Sequence, residues 1–326
     1  MRICVFGAGA VGGYLAGYLS RGGADVSVIA RGAHLAAIRA NGLMVETPGE
    51  TFTTRPPASD NPADLGPQDL VLVTVKAPAL PAVAATIAPL LGPETAVAFV
   101  MNGIPWWYFH PHDGRQLPSL DPNGALWRAV HPDRAIGAVF WPACSVPSPG
   151  VIRLVTGAEA GTVFGEPSNA LTPRLEALAG AFRAAGLPVT LTEDIRALIW
   201  RKLAFNLSAG PLCVLTETPV MDTHTEAALI ECSGRVLAEA IAVAAAMGIT
   251  LNLNIPAIAE MNKTLAHRPS ILQDLTAARS MEIEALYGVP LEMARLAGVP
   301  TPMLDVLVGL IKVKARARGL YGSAAS

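Results

Sequence analysis

The feature that most narrows what this chain can fold into is its first thirty residues. Arg2 to Phe6 is a short apolar run of β character. It is followed by Gly7-Ala8-Gly9-Ala10-Val11-Gly12-Gly13, by a helical stretch from Tyr14 to Ser20, and, after Gly22-Gly23, by a second apolar run from Asp25 to Ala30. Strand, glycine turn, helix and strand in that order form a βαβ unit. Gly7 permits the tight turn, Gly9 lets the backbone approach a pyrophosphate, and Gly12 lets the helix pack closely on the strand. The helix start then offers unpaired N–H groups and a partial positive charge to phosphate oxygens. A glycine pattern alone is weak; its position directly between strand and helix makes it specific. The expected fold class is therefore α/β, opening with a Rossmann-type dinucleotide-binding domain in which Gly7, Ala8, Gly9, Ala10, Val11 and Gly12 cradle the cofactor.

The end of the second strand distinguishes the two nicotinamide dinucleotides. An acid there hydrogen-bonds a ribose 2′-hydroxyl and repels a 2′-phosphate. This chain carries Ala30-Arg31 and no acid. A guanidinium pairs bidentately with phosphate, so Arg31 favours NADP(H), although an exposed arginine ending a strand fits the same residues.

Two further apolar runs, Asp69 to Val75 before Lys76 and Thr95 to Met101 before Asn102-Gly103, read as strands buried on both faces of a parallel sheet. Ile104 to Arg134, rich in Pro, Trp, His and Gly, reads as a long surface excursion beside the sheet, with the aromatic run Trp106-Trp107-Tyr108-Phe109 as a lid, a sheet-edge packing loop or a subunit contact. Strand-like runs resume at Ala135 to Phe140, Val151 to Val155 and Gly161 to Phe164. A helical pattern covers Ala170 to Ala185, and Leu187 to Leu191 is a last strand. After Glu193 the chain turns into long Ala/Leu-rich helical segments. This predicts a cofactor domain over residues 1–192 and an all-helical substrate and catalytic domain over 193–326.

Composition excludes several function classes. With 52% hydrophobic and 15% charged residues among 326, disorder is ruled out, and a net charge of −2 without a basic block removes the electrostatic footprint of a nucleic-acid binder. The most apolar stretch, Ala227 to Met247, is crossed by Glu231, Arg235 and Glu239 at four-residue steps, a polar stripe that suits an amphipathic helix rather than a membrane span. Cys4, Cys144, Cys213 and Cys232 are widely spaced without a C-x-x-C pair, and the N-terminus lacks the pattern of a signal peptide, so a cytoplasmic protein with reduced thiols is expected. His110-Pro111-His112-Asp113 lacks the three or four converging ligands of a zinc site, and no metal is expected.

The segment Asp194 to Asn206 reads as a helix. Lys202 and Asn206, four residues apart and flanked by Trp200 and Phe205, project from one face. A lysine there can protonate an alkoxide as hydride reaches a carbonyl carbon, and an amide can hold a substrate oxygen. The same pair also suits a solvated helix surface.

With these patches in view, the chain resembles the ketopantoate reductases (2-dehydropantoate 2-reductases). The resemblance is carried in order by the N-terminal glycine turn, Val75-Lys76-Ala77, Asn102-Gly103, the run from Asp194 through Asn206, Ser270-Ile271-Leu272-Gln273-Asp274 and Glu282-Ile283-Glu284. It implies NADPH-dependent reduction of 2-dehydropantoate to pantoate on the way to pantothenate, or reduction of a related 2-oxo acid, with a small-molecule substrate and no nucleic-acid or membrane partner. Carried over position by position, it makes Lys202 the proton donor and Glu282 the second essential polar residue. Asn206 and Ser270 become substrate anchors, and Asn102 a residue near both nicotinamide and substrate carbonyl. Lys76 lies at the cofactor edge, and Arg31 is the 2′-phosphate ligand.

Two positions depart from the family pattern, since Gly210 and Val220 stand where further substrate-facing asparagines are expected. Two other readings remain alongside: a 3-hydroxy acid dehydrogenase, which shares the Lys-x-x-x-Asn helix, and a non-catalytic NADPH-binding sensor. The apolar helical half is also suited to a homodimer interface.

Overall fold

The computed structural model describes residues 1–322. The chain divides into two compact units, one formed by residues 1–101 and 105–195, the other by 102–104 and 196–326.

The first unit opens with β1 (Arg2–Phe6), α1 (Ala10–Arg21), β2 (Asp25–Ile29) and α2 (Gly32–Asn41). There follow β3 (Leu43–Glu46), β4 (Thr51–Thr54), β5 (Ala58–Ser59), β6 (Gln68–Val73), α3 (Leu80–Thr86) and β7 (Leu91–Phe99). The unit continues through α4 (Ala125–Ala129), β8 (Ala135–Phe140), β9 (Ala143–Ser148), β10 (Val151–Thr156), β11 (Thr162–Gly165), α5 (Pro173–Ala184) and β12 (Val189–Leu191). Eight strands form one sheet in the order β12-β11-β8-β7-β6-β1-β2-β5. Its pairings are parallel except for β8 with β11, so the sheet is mixed. Ile3, Val5, Leu70, Leu72 and Val28 are essentially inaccessible, as expected of strands covered on both faces.

A second sheet, β4-β3-β10-β9, was not foreseen from the sequence. Its strands are four to six residues long and partly exposed, with Leu43 and Val45 buried but Met44 facing out, so they lack the continuous apolar run that marks the large sheet. Helix α1 packs against β1 and β2 of the large sheet and against all four strands of the small one. Gly13 and Gly17, one turn apart, make that second contact possible. A methyl at Gly13 would lie 2.6 Å from the Ile152 side chain, and one at Gly17 would overlap Val45.

The segment between β7 and β8 is a surface excursion only in part: residues 111–116 are exposed, but the aromatic run before them is not. Trp106, Trp107 and Tyr108 are 2%, 0% and 3% exposed. The Trp106 ring meets Phe99 of β7 edge-on at 5.5 Å and Trp127 of α4 at 6.0 Å. The Trp107 ring fills the space over Gly137 of β8, 2.8 Å from where a Cβ would stand. These rings rest on central strands rather than on a sheet edge. Aromatic side chains bury enough area to turn a long connection into core.

The second unit is built on α6 (Ile195–Thr216), whose first residue belongs to the first unit and packs on Gly137 and Gly165. After it come α7 (Val220–Thr223), α8 (Ala227–Ala246), α9 (Ile255–Asn262) and α10 (Ser270–Thr276). A five-residue π-helical segment, Glu284–Gly288, leads into α11 (Val289–Ala297), and α12 (Pro302–Ala317) closes the order. Helix α8 fulfils the amphipathic reading: Val236, Leu237, Ala240, Val243 and Ala244 are buried, while Arg235 and Glu231 pair on its exposed face. No described helix is long and apolar enough to cross a membrane.

Candidate active site

In the first unit the glycine turn is held by backbone and one hydroxyl. The N–H groups of Gly7 and Ala8 both donate to the Ile29 carbonyl at 3.0 Å, and the Thr74 hydroxyl donates to the Gly7 carbonyl at 2.6 Å. Gly7 sits at φ +109, where only glycine is unstrained. A methyl on Gly12 would overlap both the Gly7 carbonyl and the Thr74 hydroxyl, so the close helix approach assigned to this glycine is present. The first helical bond runs from the Gly13 N–H to the Gly9 carbonyl, and no side chain caps the helix. The amides of Ala10, Val11 and Gly12 therefore stand at an open helix end beside Gly9, which faces free space.

A cavity of about 190 Å³ adjoins this turn. It is lined by Gly7, Ala8 and Gly9 on one flank, by Ala30, Arg31 and His34 on another, and by Val75, Ala79 and Val83. Open amides, an exposed arginine at the start of α2 and an apolar wall fit the pyrophosphate, the 2′-phosphate and the adenine of a dinucleotide respectively. Lys76, exposed, follows β6 immediately beyond Val75.

Sequence reasoning missed His34. Its Nε2 lies 2.6 Å from the Ala8 carbonyl, and its Nδ1 accepts the Gly150 N–H at 3.0 Å. One neutral tautomer, with the proton on Nε2, satisfies both contacts. The ring thus links the helix that begins beside Arg31 to the glycine turn. A histidine five residues after the strand end carries no local pattern that would reveal this.

In the second unit, Lys202 and Asn206 lie one turn apart on α6, both half-buried. Burial pulls the Lys202 ammonium down to about 8, against the opposing pull of the Glu282 carboxylate, which holds the proton on. Glu282 is 7% exposed and precedes the π-helical segment. Gly103, at φ +88, fits so tightly against this segment that a methyl on it would overlap the Ala285 carbonyl, so Asn102 is seated beside the stretch that carries Glu282. Ser270 is the exposed first residue of α10. Its neighbour Ile271 reaches within 3.4 Å of a Cβ built on Gly210, one turn beyond Asn206. Three separate stretches, linked to α6 directly or through one another, therefore bring Asn102, Ser270 and Glu282 toward the Lys202–Asn206 helix. Val220, at the start of α7, is fully covered at 2% exposure. His110 pairs with Asp133 at 2.9 Å, and the described residues contain no cluster able to hold a metal ion.

A glycine turn with an arginine after the second strand, and a desolvated lysine beside a carboxylate, define the class of nicotinamide-dependent oxidoreductases. Comparison with known proteins narrows the class. The family model "Ketopantoate reductase PanE/ApbA" matches residues 3–169, and its C-terminal counterpart matches 194–315. A 2-dehydropantoate 2-reductase of Mesorhizobium japonicum is 39% identical over 98% of this chain and 100% of its own length. A crystal structure from Ralstonia solanacearum MolK2, provisionally assigned as a ketopantoate reductase, superposes with a TM-score of 0.93 at 40% identity, covering 98% of this chain and 99% of that one. A PanE/ApbA family ketopantoate reductase from Ralstonia eutropha JMP134 gives 0.85 at 27% identity, covering 98% and 100%. The chain belongs to the ketopantoate reductase family.

Proposed function

We propose that this protein reduces 2-dehydropantoate, or a closely related 2-oxo acid, to the corresponding 2-hydroxy acid with NADPH. The observation that carries the reading is Lys202: a lysine drawn down to about 8 by burial, kept protonated in part by Glu282, with an amide one turn away on the same helix. An acid of that strength gives up its proton far more readily than an exposed lysine and still carries it at neutral pH.

When bound, NADPH supplies the hydride. The Gly7–Gly12 turn, with Ala8, Ala10 and Val11, would hold its pyrophosphate and Arg31 its 2′-phosphate; Lys76 would serve the cofactor edge, and Asn102 the nicotinamide. Lys202 points its ammonium at the carbonyl oxygen, stabilises the charge that develops there and delivers the proton. Glu282 keeps Lys202 charged and oriented. Asn206 and Ser270 hold the carboxylate and tail of the acid, and Asn102 keeps the carbonyl in line. The relatives' names supply the first substrate to try.

The cofactor domain is assigned to residues 1–192 and the helical substrate and catalytic domain to 193–326. Four free cysteines suit a reducing, cytoplasmic setting. A homodimer has a face available in the row of Val306, Leu310 and Val313 on α12, which are 59%, 49% and 63% exposed.

The test is to follow NADPH oxidation with 2-dehydropantoate beside a panel of 2-oxo and 3-oxo acids, repeated with NADH. Turnover of a 2-oxo acid with a preference for NADPH is the expected result. Turnover confined to 3-oxo acids, or binding of NADPH without turnover of any acid, would overturn it.

A further inference from the structure

Lys202, Asn206 and Gly210 follow one another at steps of four residues, so they share one face of α6. The first two carry polar groups. The third carries none, and it sits beside Pro211, in mid-helix, where both Gly and Pro are unfavourable. What occupies the space at Gly210 is the hydroxyl of Tyr287. A methyl on Gly210 would overlap that oxygen, while the ring carbon bearing it is 3.5 Å away. Tyr287 is 0% exposed, and its hydroxyl has no hydrogen-bond partner among the described residues. Buried hydroxyls are nearly always paired, and an unpaired one is destabilising.

Independent contacts place this hydroxyl among the residues already assigned to the reaction. Tyr287 lies in the π-helical segment that starts two residues after Glu282, and such segments recur at functional sites. Ile271, adjacent to Ser270, flanks the same space at Gly210. Ala285, two residues before Tyr287, supports Gly103 next to Asn102. Burial raises the phenol far above its ordinary range, so it stays neutral, able to both donate and accept. A neutral group suits a neutral polar substituent, whereas the cation at Lys202 suits the oxygen that becomes charged.

We propose that Tyr287 is a specificity-determining residue of the Lys202–Asn206 face, its hydroxyl standing in place of a side chain at position 210 and pairing with a hydroxyl on the tail of a bound 2-oxo acid. The inference rests on the 2-oxo acid reductase reading above. It makes Gly210 the permissive half of a two-residue device. The helix forgoes a side chain so that a tyrosine from a distant segment can present its oxygen at that point.

The experiment compares wild type, Tyr287→Phe, Gly210→Ala and the double variant on 2-oxo acids with and without a tail hydroxyl. For Tyr287→Phe, KM should rise about tenfold for the hydroxylated acid and less than about twofold for the plain one, with the loss falling on KM rather than kcat. Its melting temperature without substrate should stay level or rise, because an unpaired buried hydroxyl has been removed. Gly210→Ala should lose stability, and Tyr287→Phe in the same chain should restore it, since the remaining 3.5 Å contact is ordinary packing. Equal losses on both acids, an unchanged KM, or a lower melting temperature for Tyr287→Phe would overturn the proposal while leaving the reductase reading intact. A wild-type enzyme inactive on every 2-oxo acid would remove that reading, and this one with it.

Discussion

The two ends of this enzyme are assembled on different principles. The cofactor end is a backbone device, in which open amides of three consecutive residues, a carbonyl that takes two N–H groups, and glycines hold phosphate by shape. Its parts are neighbours in sequence, from Gly7 to Gly12. The catalytic end is a side-chain device. Asn102, Lys202, Asn206, Ser270 and Glu282 come from four stretches, and in the proposed reaction each serves through the group it carries. Shape built from neighbours tolerates many side chains but few added atoms. Chemistry built from distant residues tolerates repacking but no loss of a functional group.

The sharpest break of that contrast is Lys202→Ala. It should lower kcat by about a hundredfold to ten-thousandfold while NADPH still binds, because general acid catalysis contributes on that order. Binding can be read by the change in nicotinamide fluorescence, and a parallel loss of cofactor affinity would show the two ends to be one device. The wild-type pH profile sharpens the point. Reduction needs the protonated amine, so the rate should hold below about pH 8 and fall tenfold per unit above it; a limb near the ordinary lysine value would refute the role of burial. The same depressed value has a sign for stability. Between about 8 and the ordinary lysine value the unfolded chain binds more protons at this residue than the folded one, so this group's contribution to stability becomes more favourable as pH rises through that window.

Arg31→Ala comes next. A charge-assisted bidentate contact contributes about 1.5–3 kcal/mol, so NADPH should weaken by about ten- to a hundredfold and NADH hardly at all. Equal loss for both would remove Arg31 from the 2′-phosphate. His34→Ala should have the smallest effect. It releases the Ala8 carbonyl and the Gly150 amide, neutral contacts of about 0.5–1.5 kcal/mol each, so both cofactors should weaken alike by a few-fold. A selective loss of NADPH would mean that His34 acts through Arg31 rather than through the turn.

The same contrast explains what the sequence disclosed. The βαβ unit was legible because its signals are local: an apolar run, glycines at fixed offsets, and an arginine where the strand ends. Lys202 and Asn206 were legible as a spacing, but a lysine and an amide one turn apart also describe any wet helix. Only the family pattern connected them to Ser270 and Glu282, which lie 68 and 80 residues beyond Lys202. Of the small sheet only β10 was legible, as the run from Val151 to Val155; its partners are short and partly exposed, so period and hydrophobicity give no clear signal there. The tryptophan segment misled because Pro, Gly and His signal a loop, whereas Trp106 and Trp107 are buried through contacts with Phe99 and Gly137 that no local pattern encodes. His34 and Tyr287 act through atoms brought together by folding, and their sequence neighbourhoods say nothing of it.

The clasp on α1 bears on how the protein is made. The helix that presents its amides to phosphate is covered by strands drawn from Leu43–Thr54 and from Ala143–Thr156, so its glycine face stays bare until about half of the chain has been synthesised. Contacts that span such separations form late and slowly. The glycine turn, although its own residues are adjacent, thus acquires its full support only through some of the longest-range pairings in the first unit. A nascent chain that carries the dinucleotide motif alone is expected to hold a loose helix, and affinity for the cofactor should emerge only after β10 has emerged from the ribosome and paired with β3.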